Sequence, residues 1–358
     1  MLKAREAICT LKEYHPPLGN RDGLRLDFNE NTEGCSPRVL DRLQSLTGED
    51  LARYPVREKG EAAAAAHLGV SRDELLLTNG TDEAIHLVCE TYLESGDEAL
   101  VIVPTFAMYE IYAAQTGARV TSIPAEKNFI FPVTDVLNAI TSRTRFIAIA
   151  NPNNPTGAFA EVADLIKIAQ AAPDAAVLID EAYFEFAGET LIPRWRDVPN
   201  LFVSRTFSKA YGMAGLRIGV LMGNAEQMGI LRRASSPYNL NSVALACLPT
   251  ALADEAYIRH YVEQALEGRR QLESELESWG VRFWPSRANF VLMHFGADSK
   301  AFIQKMRDRG MLVRDRSSDH GCKDCVRITV GAREHNQRLL ACLREVLAEV
   351  GPREKVAR

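Results

Sequence analysis

The sequence predicts an α/β protein: a large domain with a mainly parallel central sheet flanked by helices, joined to a smaller α+β domain. Three observations carry that expectation. Between residues 74 and 223 short β-rich runs alternate with amphipathic stretches, the rhythm of a parallel sheet wrapped by helices. Most of these runs lack a two-residue alternation, as strands buried on both faces do. After Pro237 the pattern changes to one long helical repeat, followed by strands and helices that form no further strand–helix–strand series.

Residues 1–40 carry little periodicity and are expected to pack as an arm on the small domain. The alanine run 62–66 predicts a helix, since alanine is the best helix former. Strands are expected at 75–78, 99–103, 119–123, 145–150, 176–180, 200–204 and 217–222, with helices at 83–94 and 161–172 among them. Tyr257, Ile258, Tyr261, Val262, Ala265, Leu266, Leu272, Leu276 and Trp279 follow helical spacing until Gly280, predicting one long helix between the two domains. Strands at 281–284, 289–294 and 326–330 and helices at 300–309 and 334–350 complete the small domain, with Gly351-Pro352 as the final stop. The expected division is a large domain at 41–240 and a small one made from 1–40 and 241–358.

Composition narrows the function. The 358 residues are 46% hydrophobic and 25% charged with a net charge of −5, an ordinary globular balance that disfavours nucleic acid or an anionic membrane as partner. No apolar run approaches the ~18 residues of a membrane span, and the N-terminus lacks a signal-peptide core, so a cytoplasmic protein is expected. Seven irregularly spaced cysteines do not form a secreted disulfide framework. Cys322 and Cys325 make a CxxC near His320 and His335, but no second pair exists and no metal is expected.

Four features stand at the ends of successive strands, where ligands of α/β proteins collect. Thr78 to Glu83 reads as a strand, a Gly80 turn and a helix start: a phosphate cradle, or simply a helix capped by Thr81 or Asp82. Asn151-Pro152-Asn153-Asn154-Pro155-Thr156-Gly157 is a stiff loop that could hold an asparagine toward a ligand oxygen. Asp180-Glu181-Ala182-Tyr183 closes an apolar strand with a carboxylate that needs a partner. In Ser204 to Gly212, followed by Gly215-Leu216-Arg217, Lys209 stands among apolar and hydroxyl neighbours, where desolvation frees an amine as a nucleophile.

In that order these motifs resemble the class I/II aminotransferases of fold type I, and within them the histidinol-phosphate enzymes, from Leu26-Asp27-Phe28-Asn29-Glu30-Asn31 to Arg327-Ile328-Thr329-Val330-Gly331. The resemblance implies pyridoxal 5'-phosphate as cofactor. It implies that Lys209 forms the Schiff base and shuttles the proton, that Asp180 pairs with the ring nitrogen, and that Asn154 and Tyr183 hold the 3-oxygen. Tyr109 would stack on the ring, while Thr81, Asp82, Thr206, Ser208 and Arg217 would surround the phosphate. Tyr54 would reach the cofactor of a neighbouring subunit, implying a homodimer.

For the substrate, Arg327 resembles the family arginine that grips a carboxylate or, here, a phosphate. Arg314, thirteen residues upstream, and Tyr14 resemble the further phosphate ligands of the histidinol-phosphate enzymes. The implied reaction exchanges an amino group between L-glutamate/2-oxoglutarate and histidinol phosphate/imidazole acetol phosphate. An aromatic amino-acid aminotransferase and a threonine-phosphate decarboxylase are the alternatives. A transcription regulator on the same fold is disfavoured, because the family pattern already begins by about residue 26.

Overall fold

The computed structural model describes residues 2–15, 19 and 21–350; the expected stop at Gly351-Pro352 lies outside them. In chain order the strands are β1 (Leu24–Arg25), β2 (Leu75–Thr78), β3 (Glu98–Val103), β4 (Arg119–Pro124), β5 (Thr144–Ala150), β6 (Ala176–Asp180), β7 (Leu201–Thr206), β8 (Gly219–Gly223), β9 (Arg282–Trp284), β10 (Phe290–His294), β11 (Met311–Leu312), β12 (Arg314–Asp315) and β13 (Cys325–Thr329).

Among the described residues the central sheet has seven strands in the order β2-β8-β7-β6-β5-β3-β4. Strands β3 to β7 run parallel to one another, and β8 runs antiparallel to both β7 and β2. Both faces are apolar. Val177 and Ile179 of β6 enter one core, with Trp195, Leu245 and Tyr261, while Ala176 and Leu178 enter the other, with Ile85, Phe146 and Phe202. That two-sided burial removes the alternation an exposed face would impose. The register sets Ala150 beside Asp180, and Asp180 beside Ser204, so the three parallel strands end on one edge and their loops open together.

Several boundaries differ from expectation. The helix expected at 83–94 is Gly80–Tyr92, with Asn79 as its N-cap; Thr81 and Asp82 sit inside its first turn, so neither is the cap. The Glu83 carboxylate accepts the Asn79 N–H instead. Helix Ser242–Ala253, with Pro249 inside it, was not read from the sequence. It buries Ala244, Leu245, Cys247 and Leu248 against the large core, on the far side of the boundary expected at residue 240. Tyr261 and Ala265 of the long helix Glu255–Ser278 do the same, and Leu272 and Leu276 reach the second sheet's core.

The small sheet is antiparallel in the order β12-β13-β10-β9, covered by helices Ser299–Asp308 and Arg333–Val350. The arm is stitched into it. β1 pairs parallel with β11, and Leu26 lies in the small core, its N–H donating to Leu312 O and its carbonyl accepting from Thr329 N. Helix Pro37–Gln44 turns the other way and sets Val39 into the large core.

Candidate active site

A cavity of about 550 Å³ opens where β5, β6 and β7 end, lined by the loops that follow them and by Arg25, Phe28 and Glu30 of the arm. Its floor is Asp180, the last residue of β6 and buried. One carboxylate oxygen accepts from the Tyr109 hydroxyl at 2.6 Å and the other from Ala182 N at 3.1 Å. Burial pushes the carboxyl up to about 6, against the lowering pull of the Tyr109 bond. No ion pair to it is present among the described residues. Tyr109, expected to offer its ring face, does line the cavity, but its hydroxyl is tied to this floor carboxylate.

Lys209 faces the cavity from the turn after β7, where Thr206 Oγ1 accepts from Ser208 N. Its Nζ donates to the Phe28 carbonyl at 2.8 Å. Loss of hydration, then the Arg327 cation, lowers the ammonium to about 8.

At one end Thr81, Asp82, Thr206, Ser208 and Arg217 line the wall together, as the sequence grouped them. Arg217 is in the left-handed region, φ 54°, and its Nη2 donates to Asp82 at 2.8 Å. Two glycines make room. A Cβ on Gly80, φ +73°, would meet Arg217 Nη2 at 2.6 Å, and one on Gly219 would meet backbone of Gly80, Thr81 and Arg205 at 2.9–3.0 Å.

The Asn–Pro loop explains itself residue by residue. Asn151 closes it by bonding Ala160 N and O, and Asn153 bonds Pro104 O and the Thr105 and Thr156 hydroxyls. Asn154 alone of the three lines the cavity, and its Oδ1 accepts from Arg327 Nη1. Tyr183 lines it as well, its hydroxyl accepting from Asn29 at 2.9 Å. Arg327, buried on β13, donates to Asp27 O at 2.6 Å; burial, and secondarily the Arg316 cation, lowers it to about 9. Directly across the strand pair stands Arg314, with Tyr14 near enough to act on its charge. Tyr54 lies outside this cavity; it is 75% exposed and stacked on Tyr238 at 4.3 Å.

Phe28 and Asn29 were not singled out from the sequence, although they sit in the 26–31 motif. The signal available was a polar run inside an otherwise aperiodic arm. Arg205 and Glu181, by contrast, form a buried ion pair at 2.8 Å outside the lining, with Arg205 over the Phe184 ring. Cys322 and Cys325 are buried free thiols packed with Trp284 and Leu292. No group of three or more potential metal ligands occurs among the described residues.

Fold and cavity together bring a lowered amine, Lys209, and a buried carboxylate, Asp180, into one cavity with Arg217, and Arg327 reaches its wall through Asn154. The chain belongs to the class I and II aminotransferase family, whose model, "Aminotransferase class I and II", matches residues 21–343. It is 35% identical over 351 residues to a histidinol-phosphate aminotransferase of Geobacillus sp. (strain WCH70), covering 95% of this chain and 94% of that one. The solved histidinol-phosphate aminotransferase of Sinorhizobium meliloti, in complex with pyridoxal-5'-phosphate, superposes with a TM-score of 0.88 at 24% identity, covering 98% and 99% of the two chains. The L-threonine-O-3-phosphate decarboxylase of Porphyromonas gingivalis shares the fold with a TM-score of 0.79 at 24% identity, over 91% and 99%.

Proposed function

We propose that this protein transfers an amino group between L-histidinol phosphate and 2-oxoglutarate, giving imidazole acetol phosphate and L-glutamate, with pyridoxal 5'-phosphate in the cavity. The carrying observation is the arginine pair. Like charges directly opposite on neighbouring strands repel, yet Arg314 and Arg327 are Cα partners. Each keeps a buried guanidinium nitrogen without a partner, an arrangement that a bound dianion would relieve. Relatives named histidinol-phosphate aminotransferase support the same substrate.

The residues fit the cofactor. The buried Asp180, hydrogen-bonded but without an ion pair, suits a cationic ring nitrogen, the Gly80 cradle and Arg217 suit a phosphate, and the Lys209 amine stands beside them. When bound, pyridoxal phosphate supplies an amine-capturing aldehyde and an electron-withdrawing ring. Asp180 would hold the ring nitrogen charged, and Asn154 and Tyr183 would orient the 3-oxygen. Tyr109, braced on Asp180, would limit the ring's travel. Thr81, Asp82, Thr206, Ser208 and Arg217 would hold the phosphate. Lys209, whose amine is free above about pH 8, would bind the aldehyde carbon and then move the proton at the substrate α-carbon. Arg327, Arg314 and Tyr14 would fix the substrate anion.

The same reading makes the molecule a cytoplasmic homodimer, supported by exposed Leu51, Tyr54, Val56 and Tyr238, with Tyr54 reaching the neighbouring site. It also divides the chain into a cofactor part at 41–240 and a smaller part from both ends, with helix Ser242–Ala253 added to the former. Single-turnover reaction of the holoenzyme with histidinol phosphate, phenylalanine and threonine phosphate in parallel tests it. Fast amino transfer from histidinol phosphate is expected. Preference for phenylalanine, or carbon dioxide release from threonine phosphate, would replace it with the aromatic or the decarboxylase reading.

A further inference from the structure

Beyond Arg314 the chain reads Asp315-Arg316-Ser317-Ser318-Asp319, the look of a solvated surface turn. The structure places it otherwise. Arg316 N donates to Cys325 O at 2.9 Å, continuing the β12–β13 ladder by one residue. Side chains two apart on a strand share a face, so Arg316 falls on the side that Arg314 and Arg327 occupy. Only 13% of its side chain is exposed, and it forms an ion pair with Asp319, whose N–H in turn donates to Arg316 O. Its charge is the largest one acting on both Arg314 and Arg327, and it is felt at Tyr183 in the cavity wall. Arg314 Nη1, Arg316 Nε and Arg327 Nε are all buried without a partner, and buried donors are normally satisfied.

Three guanidinium charges against the one carboxylate of Asp319 leave two positive charges at this end of the site. Asp27 also acts on Arg314, but its carboxylate is shared with Arg21. A phosphate monoester carries about −1.5 to −2 near neutrality, whereas a carboxylate carries one charge. We propose that Arg316, held by Asp319, is a third guanidinium of the substrate-anion site and sets its preference for a dianion over a neutral or singly charged group. This rests on the phosphorylated substrate proposed above. Cys322 and Cys325 then have a packing role, since with Trp284 and Leu292 they anchor the turn that carries Asp319.

The test compares kcat/KM of the holoenzyme for L-histidinol phosphate and for unphosphorylated L-histidinol, in wild type, Arg316→Gln and Arg316→Lys, alongside inhibition by inorganic phosphate. Losing a charge-assisted hydrogen bond predicts that Arg316→Gln lowers the phosphate-to-alcohol preference about ten- to hundred-fold and weakens inorganic phosphate by a similar factor. Arg316→Lys, which keeps the charge without the fork, should recover part of both. A purely structural residue would lower both substrates equally, and that result, or unchanged phosphate inhibition, overturns the proposal. If wild type does not turn over histidinol phosphate, the substrate reading fails, while the inorganic phosphate arm still decides the role of Arg316. Should Arg316→Gln not fold, the lysine variant carries the comparison, and wild-type values there would refute the role.

Discussion

Replacing Gly80 by alanine isolates the anion cup. The added Cβ would stand 2.6 Å from Arg217 Nη2 and 3.3 Å from its Cζ, and the residue would have to keep φ at +73°. The left-handed backbone costs an L-residue about 1–2 kcal/mol. The overlap is with the tip of a side chain, so Arg217 swings away and surrenders its 2.8 Å bond to Asp82. If its guanidinium serves the cofactor phosphate, one charge-assisted contact is lost, about 1.5–3 kcal/mol, or roughly ten- to 150-fold in Kd. Titration of cofactor-free protein with pyridoxal phosphate reads the affinity, and thermal unfolding of the same sample reads the backbone cost as a fall in Tm of about 1–3 °C. Arg217→Ala alone should weaken the cofactor similarly, and the double variant should be little worse than either single one, because both act through one contact. A Gly80→Ala protein that binds within twofold of wild type would show that Arg217 does not hold the phosphate.

The remaining expectations concern Lys209 and Arg314. In cofactor-free protein the Lys209 amine sits near 8 rather than 10.5, and only the neutral amine attacks; capture of pyridoxal phosphate should therefore accelerate with pH and level off above about 8, with Arg327→Gln moving the inflection upward because the Arg327 cation is the largest charge lowering it. A stopped-flow pH profile still rising at pH 10 would contradict the desolvated lysine. Arg314→Ala should cost the phosphorylated substrate about 2–5 kcal/mol in kcat/KM and glutamate much less; equal losses would remove Arg314 from phosphate recognition.

What the sequence made legible follows its physics. The buried strands announced themselves because a sheet covered on both faces needs uninterrupted apolar runs, and the site motifs because each strand end carries a distinct chemistry. The reversed direction of β8 was not legible, since antiparallel pairing leaves no mark on a strand buried on both faces. Helix Ser242–Ala253 escaped because it is apolar around most of its circumference and contains Pro249, so neither period nor propensity marks it. Asn29, which holds Tyr183, lies in an arm whose conformation is set by partners three hundred residues away, and Arg316 was not singled out because nothing local shows that its turn folds inward.

That separation governs the order in which the molecule can be completed. Asn29 N donates to Thr329 Oγ1, Ala332 N to Thr32 Oγ1, and Leu24 N to Gly310 O. The segment they pin includes Phe28, whose carbonyl receives Lys209. A chain emerging from the ribosome can pair β3, β5, β6 and β7 early, yet the segment from Leu24 to Thr32 must wait for residues 310–332 before these bonds can form. Closing loops of that span is entropically slow. Lys209 thus acquires the Phe28 carbonyl as its fixed partner only once nearly all of the sequence exists.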